Sequence, residues 1–249
     1  MLAAEYRDNP LAFGAGIADL SARYGGLRRV RGDGNCFYRS FLFRYLEHLV
    51  AKLDEANDAV AARIAAAPDD AAAAAVALDC PEWTAVKAKI RESKQRLLRV
   101  GYTEIAIDLF WEVFVKLLDE LPTRSARALE ELFRDETAES GYLIWYCRAL
   151  AAAFIKEDPE RFLPFILGSN HAEVNSFCTA EVEPMDRECE QVQIIALTEM
   201  LQIPVRIEYL DGRPLADGEH LTQLCFPEGV ESQIVLLYRP GHYDILYPK

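Results

Sequence analysis

Residues 31–50 read RGDGNCFYRSFLFRYLEHLV. The first half is a turn cluster: Gly32, Asp33, Gly34 and Asn35 are residues that favour sharp backbone turns. The second half is helical, with Phe37, Phe41, Tyr45 and Leu49 recurring at every fourth position. The junction falls on Cys36. A cysteine at the first turn of a helix faces unpaired N–H groups whose partial positive charge favours an anion. That setting suits a nucleophilic thiolate. The glycines let backbone N–H groups approach a developing oxyanion. Residues 33–36 are therefore candidates for an oxyanion loop. Local sequence leaves a plainer reading open, a buried cysteine capping a core helix beside an ordinary turn.

A nucleophile needs a base, and the chain has four histidines. His48 lies twelve residues into the Cys36 helix, about 18 Å along its axis, too far to reach the thiol. His171 and His220 stand in polar loop sequence with no evident carboxylate partner and read as surface residues. His242 follows Pro240-Gly241 and opens the run HYDILY. On a strand, alternate residues share a face, so His242 and Asp244 point the same way, while Tyr243, Ile245 and Tyr247 point into packing. Asp244 is placed to orient the imidazole as the third member of a triad. A chance His-x-Asp on a hairpin is the competing reading. Nucleophile early and base late is the papain-like order.

Outward from these two points the chain reads as helices followed by strands. Ile17, Leu20 and Tyr24 share a helical face that Gly25-Gly26 ends. Thr103 caps a helix through residue 121, a second spans Ser125 to Phe133, and a third opens at Ser140 or Gly141 and runs to about Lys156. Another lies within residues 185–201, and Pro122, Pro159 and Pro164 fall at joints. After Ile203 the pattern alternates: PVRIEYL is a strand, and residues 233–238 and 242–247 form an antiparallel hairpin. The layout is α+β, a helical body packed on a small, mostly C-terminal antiparallel sheet. No internal boundary stands out, so residues 1–249 are expected to form a single domain. Residues 54–80, rich in alanine, read as a helical insertion or hairpin broken near Pro68-Asp69-Asp70.

Composition narrows the function. A net charge of −13 with no basic patch beyond the Arg28–Arg31 run argues against nucleic acid. No apolar stretch approaches the roughly 18 residues of a membrane span, and the start MLAAEYRDNP lacks the features of a secretory leader. A cytoplasmic or nuclear location is expected. The six cysteines show no CxxC pairing, so neither a zinc site nor a disulfide framework is expected.

The segment RGDGNCFYRSF resembles the catalytic segment of the ovarian-tumour class of deubiquitinating cysteine proteases. The ending YRPGHYDILY is similar to that of its otubain branch, as are EVEPMDRECEQVQIIAL and VRIEYLD. The likeness covers roughly residues 15–248. It implies that Cys36 is the nucleophile, His242 the base and Asp244 its orienting partner, with Asp33 shaping the oxyanion loop beside Gly34, Asn35 and the Cys36 N–H. It implies hydrolysis of the isopeptide bond after the C-terminal glycine of ubiquitin, in polyubiquitin chains, with no metal or cofactor. It also raises two alternatives, a non-catalytic binder of ubiquitin-charged conjugating enzymes and a protease for a ubiquitin-like protein. Two departures from relatives are the alanine-rich stretch and the short region before Arg31.

Overall fold

A computed structural model describes residues 2–70, 76–134, 138–167, 171–216 and 218–249. The glycine-rich turn ends where expected, and helix α3 runs from Cys36 to Ala65. At about 1.5 Å per residue its 30 residues span roughly 45 Å. Burial divides it: Phe37, Phe41, Leu42, Leu46, Leu49 and Leu53 are buried, and nothing after Leu53 is. Each fully buried side chain of this stripe contributes roughly 1.5–3 kcal/mol. The first part of the alanine-rich stretch thus belongs to α3 itself, because alanine sustains a helix without needing a partner surface. Part of the expected break, residues 71–75, lies outside the described residues.

Before α3 come helix α1 (Leu2–Glu5), helix α2 (Pro10–Arg23) and strand β1 (Tyr24–Arg28). After it come α4 (Pro81–Arg99), α5 (Glu104–Glu120), α6 (Ala126–Arg134), α7 (Ala138–Glu157), α8 (Pro159–Ile166), α9 (Val174–Phe177) and α10 (Gln191–Leu201). Helix α7 is buried nearly all round, through Leu143, Ile144, Cys147, Leu150, Ala152 and Ile155, and forms the centre of the helical body. Thr103 precedes α5 but makes no capping side-chain bond. Pro159 opens α8, and Pro164 lies inside that helix rather than at a joint. In so short a helix the missing donor forfeits one backbone bond.

The sheet has strand order β1-β5-β4-β2-β3, with β2 Val205–Tyr209, β3 Thr222–Phe226, β4 Val235–Arg239 and β5 His242–Pro248. The β4–β5 hairpin is antiparallel, with Arg239 opposite His242 and Leu237 opposite Asp244. Two features depart from the sequence expectation. The sheet is mixed: β2 and β4 run parallel. Strand β3 returns along the far side of β2, so the chain re-enters on the near side in the original direction. The N-terminal part also contributes a strand. Gly25 and Gly26, read as a helix stop, lie within β1 at a register shift against β5, where small residues suit a bulge.

The sheet is covered on both sides. Tyr243 and Ile245 of β5 join the main core with α3. Leu237 and Leu246 face the other way, into a smaller cluster with Leu2 and Leu20 from α1 and α2. Strand alternation places His242 and Asp244 on this second face, at the end of β5 nearest the start of α3.

Candidate active site

The tight turn between β4 and β5 sets His242 on the first residue of its strand, with Gly241 at φ +73°. A side chain at Gly241 would be strained there and would lie 3.2 Å from a Glu188 carboxylate oxygen. The His242 imidazole meets Asp244 through Nε2, 2.9 Å from Oδ1. The Cys36 thiol also bears on the imidazole, as the second influence that holds its proton. The structure thus brings Cys36, His242 and Asp244 together from opposite ends of the chain. His242 is pushed up to about 9, by the hydrogen bond to Asp244 first and that to Cys36 second, against the opposing effect of burial.

Asp244 is fully buried and its oxygens are saturated. Oδ1 also accepts the Val30 backbone N–H at 3.0 Å, and Oδ2 accepts Arg239 at 2.7 Å and Arg29 at 3.1 Å. Burial alone would raise its pKa, but His242, the Val30 N–H and the Arg239 charge outweigh it and hold the carboxyl below its ordinary value. The two arginines are in turn bridged by Glu5 of α1, which pairs with Arg29 and accepts Arg239 at 2.7 Å. Arg29 and Glu5 were not legible as site residues, since their partners are distant in sequence, and Arg239 was not because it meets Asp244 only across the β4–β5 turn.

The loop before Cys36 is fixed by side chains from elsewhere. Asp33 Oδ1 accepts the Asn35 backbone N–H at 3.0 Å, and its other oxygen pairs with Arg39. Asp33 therefore shapes the loop as an ion-paired turn former, and the Asn35 N–H is not free for an oxyanion. The Cys36 N–H, first in α3, has no intrahelical partner and is a donor beside the thiol. Asn35 is tied to Asp186 through Nδ2 to Oδ1 at 2.8 Å and by the Asp186 N–H to its Oδ1 at 3.1 Å. Gly34 has φ +73° and lies so close to Asp186 that a Cβ would sit 2.3 Å from its carbonyl.

Arg148 of α7 holds the whole arrangement from beneath. Fully buried, it donates to Asn35 Oδ1 at 3.0 Å and to the carbonyls of Gly34, Val182 and Arg187 at 2.9, 3.0 and 2.6 Å. Sequence reading passed over it, although a lone arginine amid YLIWYCRALAAAFI was a visible cue: a buried charge must have partners.

A cavity of about 330 Å³ opens on Cys36 and is walled by Glu188, Glu190, Tyr209, Tyr238 and Gly241. Glu190 also starts α10, its N–H donating to Gln193 at 3.1 Å. Two carboxylates thus stand beside tyrosine rings in the cavity that opens on the thiol. Burial pushes the Cys147 and Cys178 thiols up to about 12 and raises that of Cys189 as well. His48 pairs with Glu82 at 2.8 Å, away from the thiol. The expectation that His171 and His220 lack carboxylate partners is corrected, for they meet Glu181 at 3.4 Å and Asp19 of α2 at 2.6 Å. Among the described residues no cluster of His, Cys, Asp and Glu is arranged to hold a metal ion.

Comparison with known proteins shows the family. The profile of peptidase C65, otubain, matches residues 1–85 and 76–248. The chain is 35% identical to human ubiquitin thioesterase OTUB1 over 98% of its own length and 78% of that protein. It is 34% identical to ovarian tumor domain-containing deubiquitinating enzyme 1 of Arabidopsis thaliana over 100% of this chain and 78% of the relative. Among solved structures, a complex of ceOTUB1 with ubiquitin aldehyde and UBC13~Ub superposes with a TM-score of 0.81 at 27% identity, covering 100% of this chain and 90% of that one. With a full-length profile match and relatives above 30% identity, the chain belongs to the otubain family of cysteine peptidases, C65.

Proposed function

We propose that the protein is a deubiquitinase that hydrolyses isopeptide bonds after the C-terminal glycine of ubiquitin. The observation that carries it is the constellation of Cys36 at a helix start, His242 between it and Asp244, and an acidic channel leading to the thiol. With His242 pushed up to about 9, the imidazolium persists at neutral pH and can stand beside a thiolate. The Cys36 sulfur attacks the carbonyl carbon of the terminal glycine. The resulting oxyanion is met by the Cys36 N–H at the head of α3. His242 gives its proton to the leaving lysine amine as the C–N bond breaks, leaving a thioester. A water then loses its proton to His242 and attacks the thioester, releasing the ubiquitin carboxylate and the thiol. Asp244 orients the ring throughout. The channel beside Glu188 and Glu190 suits a thin extended tail of positive charge, because glycines pass where side chains cannot.

The site draws on Glu5, Arg29 and Arg239 as well as Cys36 and Asp244, which supports treating residues 1–249 as one catalytic unit. Incubating the protein and its Cys36→Ala variant with ubiquitin chains tests the proposal. Wild type should release monoubiquitin and the variant should not; equal cleavage by both would overturn it. A second reading, that the chain also captures ubiquitin-charged conjugating enzymes, is supported by its full-length likeness to the ceOTUB1 chain of a UBC13~Ub complex. Stoichiometric inhibition of chain synthesis by Cys36→Ala is the expected sign, and unchanged synthesis at saturating protein would reject it.

A further inference from the structure

The cavity that opens on Cys36 has a second thiol among its described lining residues, Cys189, which the proposed reaction does not use. The fold pins the two cysteine-bearing segments together. A Cβ on Gly34 would lie 2.3 Å from the Asp186 carbonyl. Asn35 and Asp186 share two hydrogen bonds, of 2.8 and 3.1 Å. Arg148 clamps both backbones, donating to the carbonyls of Gly34 at 2.9 Å and Arg187 at 2.6 Å. Cys36 follows one side of this seam by two residues and Cys189 follows the other by three. On the first turn of α3, the buried Tyr38 phenol lies beside the Cys189 thiol. The Cys189 sulfur makes a long bond, 3.6 Å, to the carbonyl of Glu190 next in sequence. An S–H group is a weak donor, so little is lost when this sulfur turns into the cavity.

The two sulfurs differ in readiness. Burial raises the Cys189 pKa against the pull of Arg148 and Tyr38, and a charge on Cys36 raises it further. Cys189 is therefore held as a thiol, the form that oxidants attack slowly. Cys36, at a helix start beside the His242 imidazolium, is set for the thiolate form that they attack first.

We propose that Cys189 is a resolving thiol, which closes a reversible disulfide with Cys36 once hydrogen peroxide has oxidised Cys36, switching the site off and sparing its nucleophile from irreversible oxidation. The Cys36 thiolate attacks one peroxide oxygen, the O–O bond breaks, and the leaving hydroxide takes the His242 proton to become water. Cys36 is now a neutral sulfenic acid, so the charge that helped to keep Cys189 protonated is gone. The Cys189 sulfur attacks the Cys36 sulfur. The S–S bond forms, the S–O bond breaks, and the departing hydroxide leaves with the Cys189 proton as a second water. Two thiols have lost two electrons and one peroxide has become two waters. A dithiol reverses the closure by exchange. The inference rests on Cys36 being the nucleophile of the proposed reaction, but its test reads covalent bonds and needs no ubiquitin. A chain that forms the disulfide yet leaves ubiquitin chains intact would contradict the proposed function and not this inference.

The experiment treats the reduced full chain with hydrogen peroxide, blocks remaining thiols with iodoacetamide, and maps tryptic peptides without reduction. Trypsin places Cys36 in residues 32–39 and Cys189 in residues 188–206, each peptide carrying a single cysteine. A disulfide joining these two peptides is expected, about 2 Da lighter than their sum because two hydrogens are lost. Dithiothreitol added before the blocking step should return Cys36 alkylation to the untreated level. In Cys189→Ser, Cys36 should instead accumulate sulfinic and sulfonic acid, and the alkylation that dithiothreitol recovers should fall about fivefold. Oxygen added to Cys36 without the cross-link, a disulfide from Cys36 to any other cysteine, Cys36 left reduced by the peroxide, or equal recovery in both proteins overturns the proposal. The cross-link is read on the wild-type chain, so the test stands even where Cys189→Ser fails to fold.

Discussion

The charge on His242 sets the pH behaviour of the proposed reaction. Its pKa is raised from 6.5 to about 9, so the imidazolium contributes fold stability fully below about pH 6.5 and loses it as pH rises through about 9. The same proton is needed by the leaving amine. The basic limb of kcat/KM is therefore expected near pH 9, and Asp244→Asn should move it down toward 6.5 by removing the largest cause of the shift. A pH–rate profile of both proteins checks this; coincident limbs would contradict it. Arg148 acts differently, through structure. Arg148→Met leaves one side-chain and three backbone acceptors without their donor, and a loss of about 3 kcal/mol is expected in urea denaturation. Cys36, His242 and Asp244 were readable because each stands in a local pattern, a turn before a helix or alternation on a strand. Arg29, Arg148 and Arg239 were not, because what makes them site residues is contacts made across more than a hundred residues or around a fold corner. The Asp33 carboxylate was a partial exception, its place in the turn legible and its pairing with Arg39 not.

At the scale of elements, the junction of turn and helix does most to position the thiol. Gly34 is required twice over, by its φ of +73° and by the 2.3 Å approach that a Cβ would make to the Asp186 carbonyl. Gly34→Ala should displace residues 33–36, lowering kcat/KM by about a hundredfold while circular dichroism keeps its helical shape. Activity within twofold of wild type would refute that account of the turn. The first part of α3, through Val50, and the β4–β5 hairpin were plain from periodicity. Strand β3 was missed because Thr222 and Gln223 are exposed and its sequence, TQLCF, carries no sustained alternation. Strand β1 was missed because its two glycines resemble a helix stop, and only pairing with β5 makes them part of a sheet.

For the whole molecule, the sheet between two helical layers explains why the amino-terminal segment matters to a site more than two hundred residues away. Asp244 faces the layer formed by α1 and α2, and Glu5 closes that side by bridging Arg29 and Arg239. With Glu5→Gln, both guanidiniums would draw more strongly on Asp244 and weaken its hold on His242. A fall of about tenfold in kcat with KM unchanged is expected, together with a lower basic limb. A rise in KM alone would point to substrate contact instead. The α+β class was clear from the order of helices and strands, while the parallel pair β2–β4 depended on β3, a strand the pattern concealed.

The central claim, that Cys36 is the nucleophile presented to the end of a ubiquitin tail, is tested most directly by covalent capture. Ubiquitin carrying a C-terminal electrophile is incubated with the protein, and the adduct is mapped by peptide mass spectrometry. The account predicts a single adduct on Cys36, absent in Cys36→Ala and slowed in Asp244→Asn. Labelling of any of the other five cysteines with Cys36 unmodified, or labelling undiminished in Cys36→Ala, would contradict it.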